Sequence, residues 1–168
     1  MRRLLAVALT ALAAFACSTA NTTDPASGED DAPRTRYSSE AGGTPVGVIP
    51  VATLRDARRG KDLELTIDYP TRGGPHPLIV FSHGSAAGIS SGRAYVGLSS
   101  HWASYGYVVI KPTHSDTARP EDRRPSDWAA RVDDIRFVLD NIAALEQKYP
   151  ELQGKIDQTK IGVGGQDL

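Results

Sequence analysis

The chain has 168 residues, 40% hydrophobic and 23% charged, with a formal net charge of −1. These values fit one ordinary globular domain, alone or behind a leader. They exclude a nucleic-acid binder, which needs a basic face, and the single cysteine excludes a disulfide within the chain.

The first 16 residues differ in character from the rest. Arg2 and Arg3 precede an uncharged apolar run, Leu4 to Ala16, which is too short to span a bilayer comfortably. Ala14-Phe15-Ala16 places small residues where a signal peptidase reads them. Residues 1–16 therefore read as a secretory signal peptide. Cys17 follows directly and resembles the lipidated cysteine of a bacterial lipoprotein. The expected location is then the periplasmic or cell-surface face of a membrane, reached through a lipid anchor. The plainer alternative is ordinary cleavage and export with Cys17 incidental. Residues 17–45 hold the lipidation site and a Ser-, Thr-, Asp-, Pro- and Gly-rich stretch without apolar periodicity. That composition buries too little surface to offset ordering entropy and suits a disordered tether.

The folded part is expected over 46–168. Val48–Thr53 and Leu63–Tyr69 read as two strands, with Arg55 to Lys61 as a polar turn whose arginines face solvent. Leu63, Leu65, Ile67 and Tyr69 alternate with Glu64, Thr66 and Asp68, as in an antiparallel hairpin near a sheet edge. Pro77–Ser82 is a continuous apolar run and reads as a strand buried on both faces. Ser90–Tyr105 predicts a helix with Tyr95, Leu98, Trp102 and Tyr105 on one side, ended by Gly106. Tyr107–Ile110 is the next buried strand, and Thr113–Asp127 a polar excursion. Ser126 reads as an N-cap, with Asp127 favouring the helix dipole. From Trp128 the positions Val132, Ile135, Leu139, Ile142 and Leu145 step by three or four. They predict one long helix to Tyr149-Pro150. Lys160–Gly164 is the last strand. The order β-β-β-α-β-α-β implies an α/β fold, an open parallel sheet with helices on both faces and an antiparallel leading pair.

Two segments carry a resemblance. Phe81-Ser82-His83-Gly84-Ser85-Ala86-Ala87-Gly88 is a strand running into a His-Gly turn. Gly164-Gly165-Gln166-Asp167-Leu168 is a glycine turn at the end of a strand. With Ser104-Tyr105-Gly106-Tyr107-Val108-Val109 and Lys111-Pro112-Thr113-His114 between them, they resemble the α/β-hydrolases related to dienelactone hydrolase and platelet-activating-factor acetylhydrolase. Arg131-Val132-Asp133-Asp134-Ile135 and Lys155-Ile156-Asp157 resemble that family's approach to its nucleophile elbow. The resemblance implies the N-terminal part of an α/β-hydrolase sheet and hydrolysis of acyl esters of small molecules or lipids, with no cofactor. Its elbow has the pattern G-x-S-x-G, which sets Asp167 at the nucleophile position. The oxyanion-hole amides would be those of Ser85 and Leu168, with His83 and Gly84 forming the oxyanion-loop motif.

An aspartate at the tip points three ways. It could mark an acid-nucleophile hydrolase of the haloalkane dehalogenase or epoxide hydrolase type. It could mark a non-catalytic surface binding protein that keeps the fold. It could also mark the end of a truncated gene, the reading favoured here. The triad order is nucleophile, acid, histidine, so the acid and base are expected after residue 168. The piece alone is then expected to be inactive and poorly soluble, with an apolar strand edge exposed. His76 reads as solvated, His83 as a structural part of its loop, His101 as helical, and His114 as facing the cleft mouth without a role as base. None has metal-ligand spacing. Asp116, Glu121 and Asp122 read as a solvated charged loop.

Overall fold

Hydrophobic alternation and glycine punctuation build a five-stranded mixed sheet. The computed structural model describes residues 39–84, 92–114 and 125–166. The strands are β1 (Val46–Asp56), β2 (Lys61–Pro70), β3 (His76–Ser82), β4 (Val108–Thr113) and β5 (Ile156–Gly165). The helices are α1 (Val96–Ser104), entered through a 3-10 turn at Gly92–Tyr95, α2 (Pro125–Asp140) and α3 (Ile142–Lys148). The spatial order is β1-β2-β4-β3-β5. β1, β2 and β4 pair antiparallel, whereas β3 runs parallel to both β4 and β5. This is the open α/β sheet expected from the order of elements. The leader, Cys17 and most of the expected tether lie outside the described residues, as do Ser85, Asp116, Glu121, Asp122, Asp167 and Leu168.

One face of the sheet makes the apolar core. Leu63, Leu65 and Ile67 of β2, Leu78 and Val80 of β3, and Val108 and Ile110 of β4 pack under Val138, Ile142 and Leu145. These strand residues are two apart and so share a face. The other face, under α1, is polar at its centre. Asp68, expected on the polar face of a hairpin near a sheet edge, is 1% exposed, and Lys111 is 0% exposed. The Lys111 ammonium lies 3.1 Å from the Asp68 carboxylate and donates to the Ser99 hydroxyl at 2.6 Å. The Ser100 hydroxyl donates to the other Asp68 oxygen at 2.8 Å. α1 packs over this face of β2, where its Ser100 meets Asp68, so the face meets a helix rather than water.

This buried pair also corrects the expected face of α1. Ser99, Ala103 and Ser104 are buried, whereas Leu98 and Tyr105 are exposed. The helix turns its small polar side inward because Lys111 needs an acceptor there. Gly106 ends it as expected, with φ +94°, a conformation open to glycine. The end of the expected tether is held here too. Gly42 donates to the Ser104 hydroxyl at 2.7 Å, and Thr44 donates to the Ser104 carbonyl at 3.1 Å. A Cβ on Gly42 would lie 2.2 Å from that carbonyl oxygen, so only glycine allows the approach.

The expected single long helix is two helices, split at Asn141. The Asn141 side chain donates to the Phe137 carbonyl at 2.8 Å and competes with the helical ladder. α2 starts at Pro125, one residue before Ser126, the expected cap. Its inward positions are Arg131, Asp134 and Val138, and Trp128 and Val132 are exposed. β5 is longer than expected because 156–157 pair with His76 and Pro77 before an irregularity, after which Leu78 faces Ile161. Ile161 and Val163 stay exposed along this edge strand.

The Lys111–Asp68 pair predicts an asymmetry in stability. Lys111→Ala leaves a buried carboxylate without its cation and should cost about 3–5 kcal/mol. Replacing both residues by apolar ones of similar volume should cost much less. Urea denaturation midpoints of the two variants test the difference.

Candidate active site

The carboxyl ends of β3, β4 and β5 meet at one end of the sheet, where open α/β sheets place their ligands. β3 delivers Ser82, His83 and Gly84 there, β4 delivers His114, and β5 delivers Gly165 and Gln166. Gly165 stands beside Ser82 in the parallel ladder, and the Gln166 amide donates to the Ser82 carbonyl at 3.1 Å. A Cβ at 165 would lie 3.0 Å from that carbonyl, which explains a glycine at this point of the turn.

Tyr95 joins the His-Gly turn to the end of β5. Its hydroxyl accepts from the Gly84 amide at 3.3 Å and donates to the Gln166 side-chain oxygen. The ring packs edge-on against Phe81, 5.0 Å between centroids, so the hydroxyl is aimed by packing as well as by its partners. Sequence reading placed Tyr95 on an apolar helix stripe and missed this role.

His83 is buried, and each ring nitrogen has a partner. Nδ1 donates to the Gly84 carbonyl at 2.6 Å, and Nε2 accepts from the His114 amide at 3.1 Å. Arg131 donates to the His83 carbonyl at 2.6 Å. The expectation that His83 is structural within its loop agrees with this geometry.

His114 occupies a different place from the expected cleft mouth. It is 2% exposed. Its Nδ1 lies 2.9 Å from the Asp134 carboxylate and its Nε2 lies 2.9 Å from the Ser82 hydroxyl. With the Nδ1 proton directed at the carboxylate, Nε2 is the acceptor for the serine hydroxyl. Asp134 also takes Arg59 and Lys61, each at 2.7 Å. Arg59, expected to be solvated in its turn, therefore reaches inward, and it pairs with Asp56 as well. Burial alone would raise the Asp134 carboxyl. Hydrogen bonds from His114 and Lys61, with the positive charge of Lys61 and the bond from Arg59, outweigh it and hold the group below the usual carboxylate range. Asp134 is thus an anion in a buried setting.

His76 and His101 are not part of this end of the sheet. His76 begins β3, and its Nε2 pairs with the Arg72 carbonyl. His101 lies on α1 against Tyr105. Among the described residues no group of His, Cys, Asp and Glu is arranged to hold a metal ion.

A family model described as chlorophyllase matches residues 37–163. No curated protein matches. Among solved structures, the ferulic acid esterase from Streptomyces cinnamoneus superposes with a TM-score of 0.55 at 22% identity, over 73% of this chain and 52% of its own. A Pyrobaculum calidifontis esterase gives 0.53 at 24% identity, over 73% and 36%. Brefeldin A esterase, described as a bacterial homologue of human hormone sensitive lipase, gives 0.52 at 18%, over 80% and 35%. At these identities the likeness is one of fold, and the fold is that of the α/β-hydrolases. The chain spans about half the length of the first of these structures and little more than a third of the others.

The depressed Asp134 carboxyl fixes the sign of a pH effect. Its stabilisation is complete above the unfolded carboxylate value of about 3.9 and is lost as pH falls through the lower folded value. Asp134→Asn should therefore destabilise the protein at pH 7 by roughly 1–3 kcal/mol, as buried partners lose their anion. The gap from the parent should shrink below about pH 4. Thermal melts of both proteins at pH 7 and pH 3 check this.

Proposed function

The chain belongs to the chlorophyllase family, and from that premise we propose that it forms part of a carboxylic ester hydrolase. One observation carries the reading. The Tyr95 hydroxyl contacts both Gly84 and Gln166, so the His-Gly turn and the end of β5 lie side by side. Acyl transfer builds negative charge on the ester oxygen, and fixed N–H donors aimed at that oxygen supply the largest catalytic contribution. The Gly84 amide is already committed to Tyr95. By the position of the motifs in the resembling hydrolases, the donors proposed are the amides of Ser85 and of Leu168, after Asp167 at the tip. The substrates proposed are esters of small molecules or lipids, of the kind cleaved by the dienelactone hydrolases and platelet-activating-factor acetylhydrolases that the sequence resembles.

An aspartate attacking a carboxylic ester would give an anhydride, a poor intermediate. His83 is held within its loop and His114 is turned to Ser82, so neither is proposed as the base for a nucleophile at the elbow. We therefore propose that residues 1–168 bind the developing oxyanion but do not turn over ester alone. A stable mimic of that anion, such as ethyl butylphosphonate, should shift the amide resonances of Gly84 and Ser85 in the purified protein. Gly84→Val should abolish the shifts, and p-nitrophenyl butyrate should show no steady-state turnover. Unmoved amides would overturn the ester-hydrolase reading, and Gly84-dependent turnover would overturn the inactivity.

We propose further that the protein is exported and anchored through a lipid on Cys17. Among the described residues no helix is long and apolar enough to cross a membrane, and the cysteine directly follows the small residues of the leader. Cells expressing the chain should incorporate labelled palmitate into it, and Cys17→Ser should remove the label. Label retained in Cys17→Ser would sink the anchor.

A further inference from the structure

We infer that Ser82 is an activated nucleophile, a modification site for activated acyl and phosphoryl compounds distinct from the elbow at Asp167. Three residues from three elements line up in the order a serine nucleophile requires. The Ser82 hydroxyl lies 2.9 Å from His114 Nε2, and His114 Nδ1 lies 2.9 Å from the Asp134 carboxylate. The tautomer is fixed by that carboxylate, so the free imidazole lone pair faces the serine proton. Asp134 is kept anionic by Arg59 and Lys61, as an orienting carboxylate must be. His114 and Asp134 are buried, whereas Ser82 is only partly so. The base is shielded from water, and the half-buried serine residue keeps part of its surface in contact with solvent.

Glycine at 165 helps to keep that surface clear. A Cβ at that position would lie 3.3 Å from the Ser82 Cβ, so the neighbouring strand places no side chain over this flank of the serine. Ser82 also shares a strand face with Leu78 and Val80, the face covered by α2. It therefore meets Asp134 of α2 through His114 rather than pointing toward Tyr95 and α1.

The step is a displacement. The Ser82 oxygen forms a bond to the phosphorus of a fluorophosphate, or to an acyl carbon, while its proton passes to His114 Nε2. The P–F bond breaks and fluoride leaves, or the acyl C–O bond breaks and the alcohol leaves with that proton. In the fluorophosphate case the imidazolium releases its proton to water. The reaction is a single covalent addition, and it is independent of oxyanion binding at the His-Gly turn. The reversible phosphonate of the preceding subsection and a covalent fluorophosphate can therefore succeed or fail separately.

The test treats the full chain with diisopropyl fluorophosphate and locates the adduct by fragment mass spectrometry of the peptide from Gly73 to Arg93. One equivalent on Ser82 is expected, absent from Ser82→Ala and from wild-type protein unfolded in urea. His114→Gln should slow labelling by about 100-fold, the scale of a general base's contribution. No adduct, an adduct on another serine, or equal labelling in urea would overturn the inference, as would an undiminished rate in folded His114→Gln. If that variant does not fold, native against urea-unfolded wild-type protein decides the question.

Discussion

The site end of the sheet depends on one buried anion. The Asp134 carboxylate collects His114 from β4, Lys61 from β2 and Arg59 from the turn before it. A charge taken out of water is tolerable only when its hydrogen-bonding capacity is filled, so this carboxylate dictates where three other elements must lie. Arg131 sits three residues earlier on the same helix, on the same face, and holds the His83 carbonyl. α2 thus fastens the ends of both central parallel strands, through Asp134 to His114 and through Arg131 to His83.

The opposite face of the sheet repeats the arrangement with the signs exchanged. There a buried cation, Lys111, gathers Asp68 and Ser99, while Ser100 holds the far oxygen of Asp68. Ile110 and Lys111 are neighbours in β4 and point to opposite faces. One enters the apolar core and the other meets this polar centre. Apolar burial under α2 and α3 supplies most of the driving force. The two ionic centres are directional, and each is satisfied in only one placement of its helix over the sheet.

Much of the architecture was legible in the residues. The 63–69 alternation, the apolar runs at 77–82 and 107–110, and Gly106 gave the strands, their order and the end of α1. The helix faces were misjudged because hydrophobic periodicity assumes that the inward side of a helix is apolar. On α2 the inward positions include Arg131 and Asp134, and on α1 they are Ser99, Ala103 and Ser104. A polar residue in phase with Val138 and Leu145 was the available signal. The His-Gly turn and the glycine turn at 164–165 stood out as motifs, and the structure brings Ser82, Gly84, Gly165 and Gln166 together. Ser82, His114 and Asp134 were not legible as a set. They are 32 and 20 residues apart, and only the crossing of β3, β4 and α2 makes them neighbours. The split at Asn141 was hidden because the apolar pattern runs through it unbroken.

The short reversal between β1 and β2 has a consequence for how freely the chain can vary. Hairpin tips on a protein surface ordinarily accept extra residues at little cost. Here Arg59 and Lys61 flank Gly60, whose φ of +67° sets the bend, and both cations must reach the same carboxylate. An insertion of even one residue would shift one cation against the other and withdraw positive charge from beneath His114. The spacing of this loop is therefore constrained by a carboxylate on α2, 75 residues away from Arg59 in the chain.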